Sequence, residues 1–280
     1  MSLRRASTLR HPFPPRSRRS RACSSGNSRL RAGQPERHLH PLSLAAAAAY
    51  RTWADLLGRD GIAVLRYDKR FLTYPSLDPL TLTQDDQVED ALAAVRYLAS
   101  RPEVDPARVF ILGHSEGAAL APVAAARGPV RAVIAVAATA LAIDSLVVEQ
   151  LRASEDVPPG MAEDVDGQFR ALRDGTFPAD GEILGAGAEY WRQFISYTQR
   201  ADSIAEALGR PVLVVQGLAD PYLPGGTLQR SLDRWRAASV RSAAVELRTY
   251  AGLDHSLYDT ASGAPGAGVI RAAGEWMKAR

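Results

Sequence analysis

Gly113, His114, Ser115, Glu116 and Gly117 carry the spacing G-x-S-x-G. In that spacing a serine can be presented on a turn so tight that its backbone is strained. The flanking side chains must be nearly absent for the segments on either side to approach, and Gly113 and Gly117 meet that need. A serine hydroxyl is a poor nucleophile at neutral pH and needs an adjacent base. His255, in the loop of residues 251–257, is the leading candidate. His11, His38 and His40 lie in a polar N-terminal stretch, and His114 reads as a packed residue whose side chain points away from that of Ser115. The base in turn needs a carboxylate to fix its tautomer and stabilise the imidazolium. Asp220 is the first choice and Asp144 its rival. Asp254, adjacent to His255, would point elsewhere, and Asp68 reads as a loop-bracing carboxylate. The backbone N–H of Glu116 would lie at a helix start, free to stabilise an oxyanion.

These residues can meet only if they hang on one edge of a sheet. Residues 109–112 are a short apolar run rich in β-formers, and residues 118–127 are alanine-rich and helix-prone, so the serine turn joins a strand to a helix. Residues 61–67, 130–137, 211–216 and 244–250 read as further strands. Residues 44–57 read as a helix, with Trp53, Leu56 and Leu57 at helical spacing. Thr83 can cap a helix over 84–100, striped by Val88, Leu92, Val95 and Leu98, with Asp85, Asp86 and Glu89 favouring its N-terminal dipole. Leu228, Leu232 and Trp235 stripe another helix, and Val269, Ala273, Trp276 and Met277 the last. Strands alternating with helices predict a mostly parallel sheet covered on both faces. Ser115, Asp144, Asp220 and His255 all follow strands and would share its carboxyl edge. Residues 143–208 interrupt the alternation. They are helical and polar in pattern, broken by proline and glycine, and end in the aromatics Tyr190, Trp191, Phe194 and Tyr197, so they read as an inserted helical lid.

The 280 residues carry a net charge of +3, but that balance hides an asymmetry. Residues 1–40 hold ten arginines against one acid, Glu36; the remainder carries 24 basic and 30 acidic side chains, a net −6. The body is therefore mildly acidic, with no basic stripe for nucleic acid. Residues 1–43 read as a disordered basic tail, rich in Arg, Ser and Pro, and residues 44–280 as the folded domain. Cys23 is the single cysteine, which excludes an internal disulfide framework and a cysteine-rich metal site. No apolar run reaches transmembrane length, and no secretory signal is visible, so a cytoplasmic protein without membrane contact is expected. There is no internal repeat and no G-x-x-x-x-G-K-[ST] phosphate loop.

The chain order Ser115, Asp220, His255 with a G-x-S-x-G turn resembles the α/β-hydrolase superfamily, nearest to bacterial serine esterases of the dienelactone-hydrolase and prolyl-peptidase-like branch. The resemblance runs from about Tyr50 to the C-terminus, through residues 61–70, 104–117, 211–220 and 252–255. It implies an α/β fold, Ser115 as nucleophile, Asp220 as acid, His255 as base and no metal or organic cofactor. It implies a small-molecule ester or thioester as substrate, with a peptide or amide as the alternative.

One departure stands out. Members of that superfamily begin with strands of which residues 1–43 show no counterpart, and the third carries the loop that completes the oxyanion hole. Without it, residues 62–67 and 109–112 would face each other across a slot of about 9–10 Å, twice the normal strand spacing. Either these strands pair directly, or the chain is a truncated or frame-shifted copy with an impaired oxyanion hole; the second is expected. The same departure leaves open a third function, a catalytically impaired binding protein that keeps the fold.

Overall fold

The computed structural model describes residues 41–74 and 76–280; the tail expected over residues 1–43 lies, up to residue 40, outside the described residues, as do His11, Cys23, His38 and His40. Helix α1 (Pro41–Arg59) takes in residues 41–43. It is followed by the short α2 (Arg70–Thr73) and by α3 (Gln84–Ala99). Thr83 caps α3 as its sequence predicts: its hydroxyl accepts from the Asp86 N–H while Asp86 reaches back to the Thr83 N–H. Strand β1 (Phe110–His114) leads into α4 (Glu116–Arg127), and β2 (Ala132–Val136) follows. The inserted block comprises α5 (Ile143–Ala153), α6 (Met161–Arg173), a small hairpin of β3 (Glu182–Ile183) and β4 (Ala186–Gly187), α7 (Ala188–Gln199) and α8 (Ala201–Ala207). Strand β5 (Val212–Gly217), α9 (Thr227–Arg241), β6 (Val245–Tyr250) and α10 (Ala267–Lys278) complete the fold.

The strands of the main sheet pair in the order β1-β2-β5-β6, all parallel. Strands buried on both faces need apolar residues at both parities, and β2 supplies them. Val133 and Ala135 face one layer, with Ala118, Ala121 and Ala125 of α4 and Trp235 of α9. Ala132, Ile134 and Val136 face the other, with Trp53 and Leu57 of α1 and Val269, Ala273 and Trp276 of α10. The inserted block has its own core around Phe169, Ile183, Trp191 and Phe194. Its aromatics are therefore packing residues first: Phe169 meets Trp191 edge-on, and the Trp191 indole donates to the Ile183 carbonyl.

Residues 61–67 correct the sequence reading. They follow α1 without regular secondary structure and join no ladder among the described residues, and residues 63–68 form no backbone hydrogen bond with any described residue. A strand exists only by its neighbour, and no described residue pairs with this segment. A cavity of about 2200 Å³ separates this segment from β1 and is lined from both sides, by Ile62, Val64 and Leu65 and by Phe110 and Leu112. Direct pairing across the slot has not occurred. Among the described residues β1 is an edge of the sheet.

Candidate active site

The turn after β1 has the geometry its spacing predicts. Ser115 sits at φ 56°, ψ −117°, a left-handed conformation that costs a serine about 1–3 kcal/mol and persists only where its surroundings impose it. Gly113 is what makes the turn possible: a Cβ there would lie 2.0 Å from the Gly117 carbonyl oxygen. Gly117 is not needed for the same reason, since a Cβ on it meets nothing within 4 Å. The close approach is made by the Gly117 backbone, not into space that its side chain would fill. The Ser115 N–H continues the ladder to the Val136 carbonyl, and Glu116 opens α4, leaving its own N–H without an intrahelical partner.

Asp220 and His255 are brought together from loops 35 residues apart. His255 Nδ1 lies 2.8 Å from Asp220 Oδ2. The carboxylate is fully buried and held by further donors, the Gln216 amide on Oδ2 at 2.9 Å and the Tyr222 N–H on Oδ1 at 2.9 Å. The two loops can approach because residue 217 is glycine: a Cβ would stand 2.3 Å from the Leu253 carbonyl oxygen. Asp254 points elsewhere, as its position suggests, accepting from the Ser256 and Tyr258 N–H groups and so shaping the turn that presents His255. The rival Asp144 is not near His255. It lies in α5, buried, paired at 2.5 Å with Arg173 of α6 and accepting from the Ser145 N–H, a brace inside the inserted block. Asp68 is exposed at the end of the extended segment. Ser115, Asp220 and His255 line one cavity, together with Leu146 and Phe194 of the inserted block.

Sequence reasoning passed over two features of this site. The first is His114, which is more than a packed residue. Its Nδ1 lies 2.9 Å from the Tyr50 hydroxyl and its Nε2 2.8 Å from the His255 carbonyl oxygen. A carbonyl only accepts, so Nε2 carries the ring proton and Nδ1 accepts from Tyr50. The ring thus ties α1 to the loop of His255, whose own ring it meets edge-on at 4.8 Å. Burial, and then the nearby His255, push the His114 pKa down from 6.5 to about 4. The folded protein therefore refuses a proton that the unfolded chain accepts near 6.5. The stabilisation from the neutral ring is complete above that value and is lost as pH falls from about 6.5 to about 4, by roughly 3 kcal/mol at about 1.4 kcal/mol per pKa unit. His114→Gln should flatten the fall of Tm across this window; an unchanged pH slope would show that His114 is not the group responsible.

The second feature is the Glu116 carboxylate. Its Oε1 accepts from Gln84 at 2.9 Å, Gln87 at 2.9 Å and the Tyr190 hydroxyl at 2.6 Å, and its Oε2 is paired with Lys69. Burial alone would raise this carboxyl, but Lys69 and the hydrogen bonds outweigh it and hold the group at about 2. Burial and the Glu116 charge push Tyr190 well above the ordinary phenol range, so it stays a donor. Gly-x-Ser-x-Gly spacing constrains only the glycines and the serine, and nothing local in the sequence marks Glu116 as charged and paired.

Among the described residues, no three His, Cys, Asp or Glu side chains are grouped to hold a metal ion, and no helix is long and apolar enough to cross a membrane. The alpha/beta hydrolase family model matches residues 32–272. Esterase EstD of Thermotoga maritima is 37% identical over 169 residues, 59% of this chain and 39% of that protein, so the chain spans about two fifths of the length of this curated relative. The monoacylglycerol lipase of Paleococcus ferrophilus superposes with a TM-score of 0.50 at 18% identity, over 82% of this chain and 89% of that one. A structure described with LipS and LipT, two metagenome-derived lipolytic enzymes, gives 0.51 at 16% identity, over 83% and 88%. At these identities the two structures show a shared fold.

Proposed function

Because the chain belongs to the alpha/beta hydrolase family, we propose that it is a serine hydrolase cleaving carboxylic esters or thioesters through an acyl-enzyme. The observation that carries this reading is the Asp220–His255 hydrogen bond at 2.8 Å, on a loop that opens on the same cavity as the strained Ser115. Asp220 holds the proton of His255 on Nδ1, which leaves Nε2 free as a base. Ser115 Oγ attacks the ester carbonyl carbon as Nε2 takes its proton. The carbonyl oxygen becomes an oxyanion facing the Glu116 N–H. His255 then returns the proton to the leaving alcohol or thiol, and water repeats the sequence on the acyl-enzyme. The curated relative EstD is named an esterase, which supports an ester substrate. Ile143, Leu146 and Phe194 add apolar lining to the cavity that Ser115 also lines, which supports an apolar acyl group and a lid role for the inserted block.

A second reading, impaired turnover, is favoured by β1 being an edge of the sheet among the described residues. The only oxyanion donor assigned among the described residues is the Glu116 N–H, and loss of one such donor typically costs about 10²–10³-fold in kcat.

One panel tests these readings: a p-nitrophenyl ester of a short acid, a peptide anilide and a fluorophosphonate. Ester turnover with labelling of Ser115 is the expected result. Labelling with turnover about 10²–10³-fold below a complete relative supports impairment. Faster turnover of the anilide than of the ester makes the protein an amidase, and no labelling and no turnover leave a binding protein of this fold.

A further inference from the structure

Residues 68–70 belong to the stretch that resembles the superfamily, yet the Ser115–Asp220–His255 mechanism uses none of them. The structure gives Lys69 and Arg70 distinct partners. Arg70 grips α3 with its whole fork: Nε and Nη2 bond Asp90 at 2.9 and 2.7 Å, Nη1 bonds Asp86 at 2.7 Å, and Nη2 also bonds the Asp86 carbonyl at 2.8 Å. That grip fixes the backbone of its neighbour Lys69, whose ammonium pairs with Glu116 Oε2. Lys69 is 46% exposed and Glu116 20%, so the pair lies at the rim of the cavity, the carboxylate on the inner side.

Glu116 is the residue whose backbone N–H faces the oxyanion in the mechanism above. Its side chain is tied to Gln84 and Gln87 of α3 and Tyr190 of α7, so the first turn of α4 is anchored from two other helices. The anchor carries a negative charge on the same residue whose N–H faces the atom on which negative charge must develop. In a site shielded from water such a charge opposes the transition state, unless a cation balances it. Lys69 is the cation the structure places there.

We propose that Lys69 is a positioning residue acting through Glu116: it neutralises the carboxylate that anchors the oxyanion-binding turn, so that the anchor does not repel the oxyanion. The inference rests on the serine-hydrolase reading. It goes beyond that reading by assigning a role in transition-state stabilisation to an ion pair that touches neither substrate nor base.

The test is steady-state kinetics on a short p-nitrophenyl ester, with Tm measured on every variant. Lys69→Met leaves the carboxylate unbalanced, and kcat should fall by about 10–100-fold with KM within about twofold, a fraction of the effect of losing a whole oxyanion donor. Lys69→Arg keeps the charge and should stay within about threefold of the wild type. Adding Glu116→Gln to Lys69→Met removes the offending charge and should recover most of the lost kcat. A purely structural pair gives the reverse pattern, with the double variant no better than Lys69→Met in kcat, and that overturns the proposal. So does a Lys69→Met enzyme with wild-type kcat, or one in which Met and Arg behave alike; these two comparisons need no variant at Glu116 to fold. Ser115→Ala run beside them separates the two levels. Full turnover in that variant overturns the serine reading and this inference with it, whereas loss of turnover there and wild-type kcat in Lys69→Met overturns this inference alone.

Discussion

On the proposed serine-hydrolase reading, Ser115→Ala should abolish ester turnover and fluorophosphonate labelling together, with kcat falling by about 10⁶-fold, the scale for loss of an activated serine from a working triad. The nucleophile must sit where the strand-to-helix turn projects it, and the left-handed backbone at residue 115 is imposed by the contact of Gly113 with the Gly117 carbonyl. The variant should fold, because alanine keeps the ladder bond from its N–H to the Val136 carbonyl and loses only the hydroxyl. Mass spectrometry of the labelled protein is the direct check. Labelling that survives the substitution removes Ser115 from its assigned role.

Asp220→Asn has the next largest effect, a fall in kcat of about 10⁴-fold. The physical reason is the set of donors on this carboxylate. Oδ2 accepts from Gln216 and His255, and Oδ1 from the Tyr222 N–H. Asparagine offers one acceptor oxygen in place of two. If its oxygen takes the Tyr222 side, its NH₂ donates to His255 Nδ1 and moves the ring proton to Nε2, where the base must be free. If the oxygen faces His255, the NH₂ confronts the Tyr222 N–H, and a buried donor is left unpaired at a cost of about 1–3 kcal/mol. Either way turnover falls, because the charge that stabilises the imidazolium is lost, and either way stability falls, because in the first orientation the NH₂ confronts the Gln216 amide donor. Asp144→Asn provides the contrast. It weakens the pair with Arg173 inside the inserted block and should lower Tm while leaving kcat close to that of the wild type. If Asp144→Asn is the variant that loses kcat, and Asp220→Asn is not, the acid has been assigned to the wrong loop.

Features that depend on near neighbours are legible along the chain. The serine turn is legible because a tight strand-to-helix reversal demands glycine at a fixed offset, and the Gly113 contact answers that demand. The Thr83 cap is legible because capping is an interaction over three residues. The two-sided burial of β2 is legible as an uninterrupted apolar run, and from the alternation of such runs with helical stripes the parallel sheet follows. The candidates Ser115, Asp220 and His255 are legible too, because each stands after a strand.

Whatever turns on partners distant in the chain emerges only on packing. Asp144 and Asp220 look alike in sequence, each following a strand. Only packing shows that one is consumed by Arg173 and the other reaches His255. His114 reads as packing because neither of its partners is local: Tyr50 is 64 residues away and the His255 carbonyl 141. Glu116 becomes a charged anchor only when Lys69, Gln84, Gln87 and Tyr190 arrive from three different segments. Residues 61–67 show the converse. Their composition specifies a strand, but a ladder needs a neighbour, and β1 faces them across a cavity instead. Periodicity reports which face of an element is apolar; which group stands opposite that face is fixed only when the chain closes on itself.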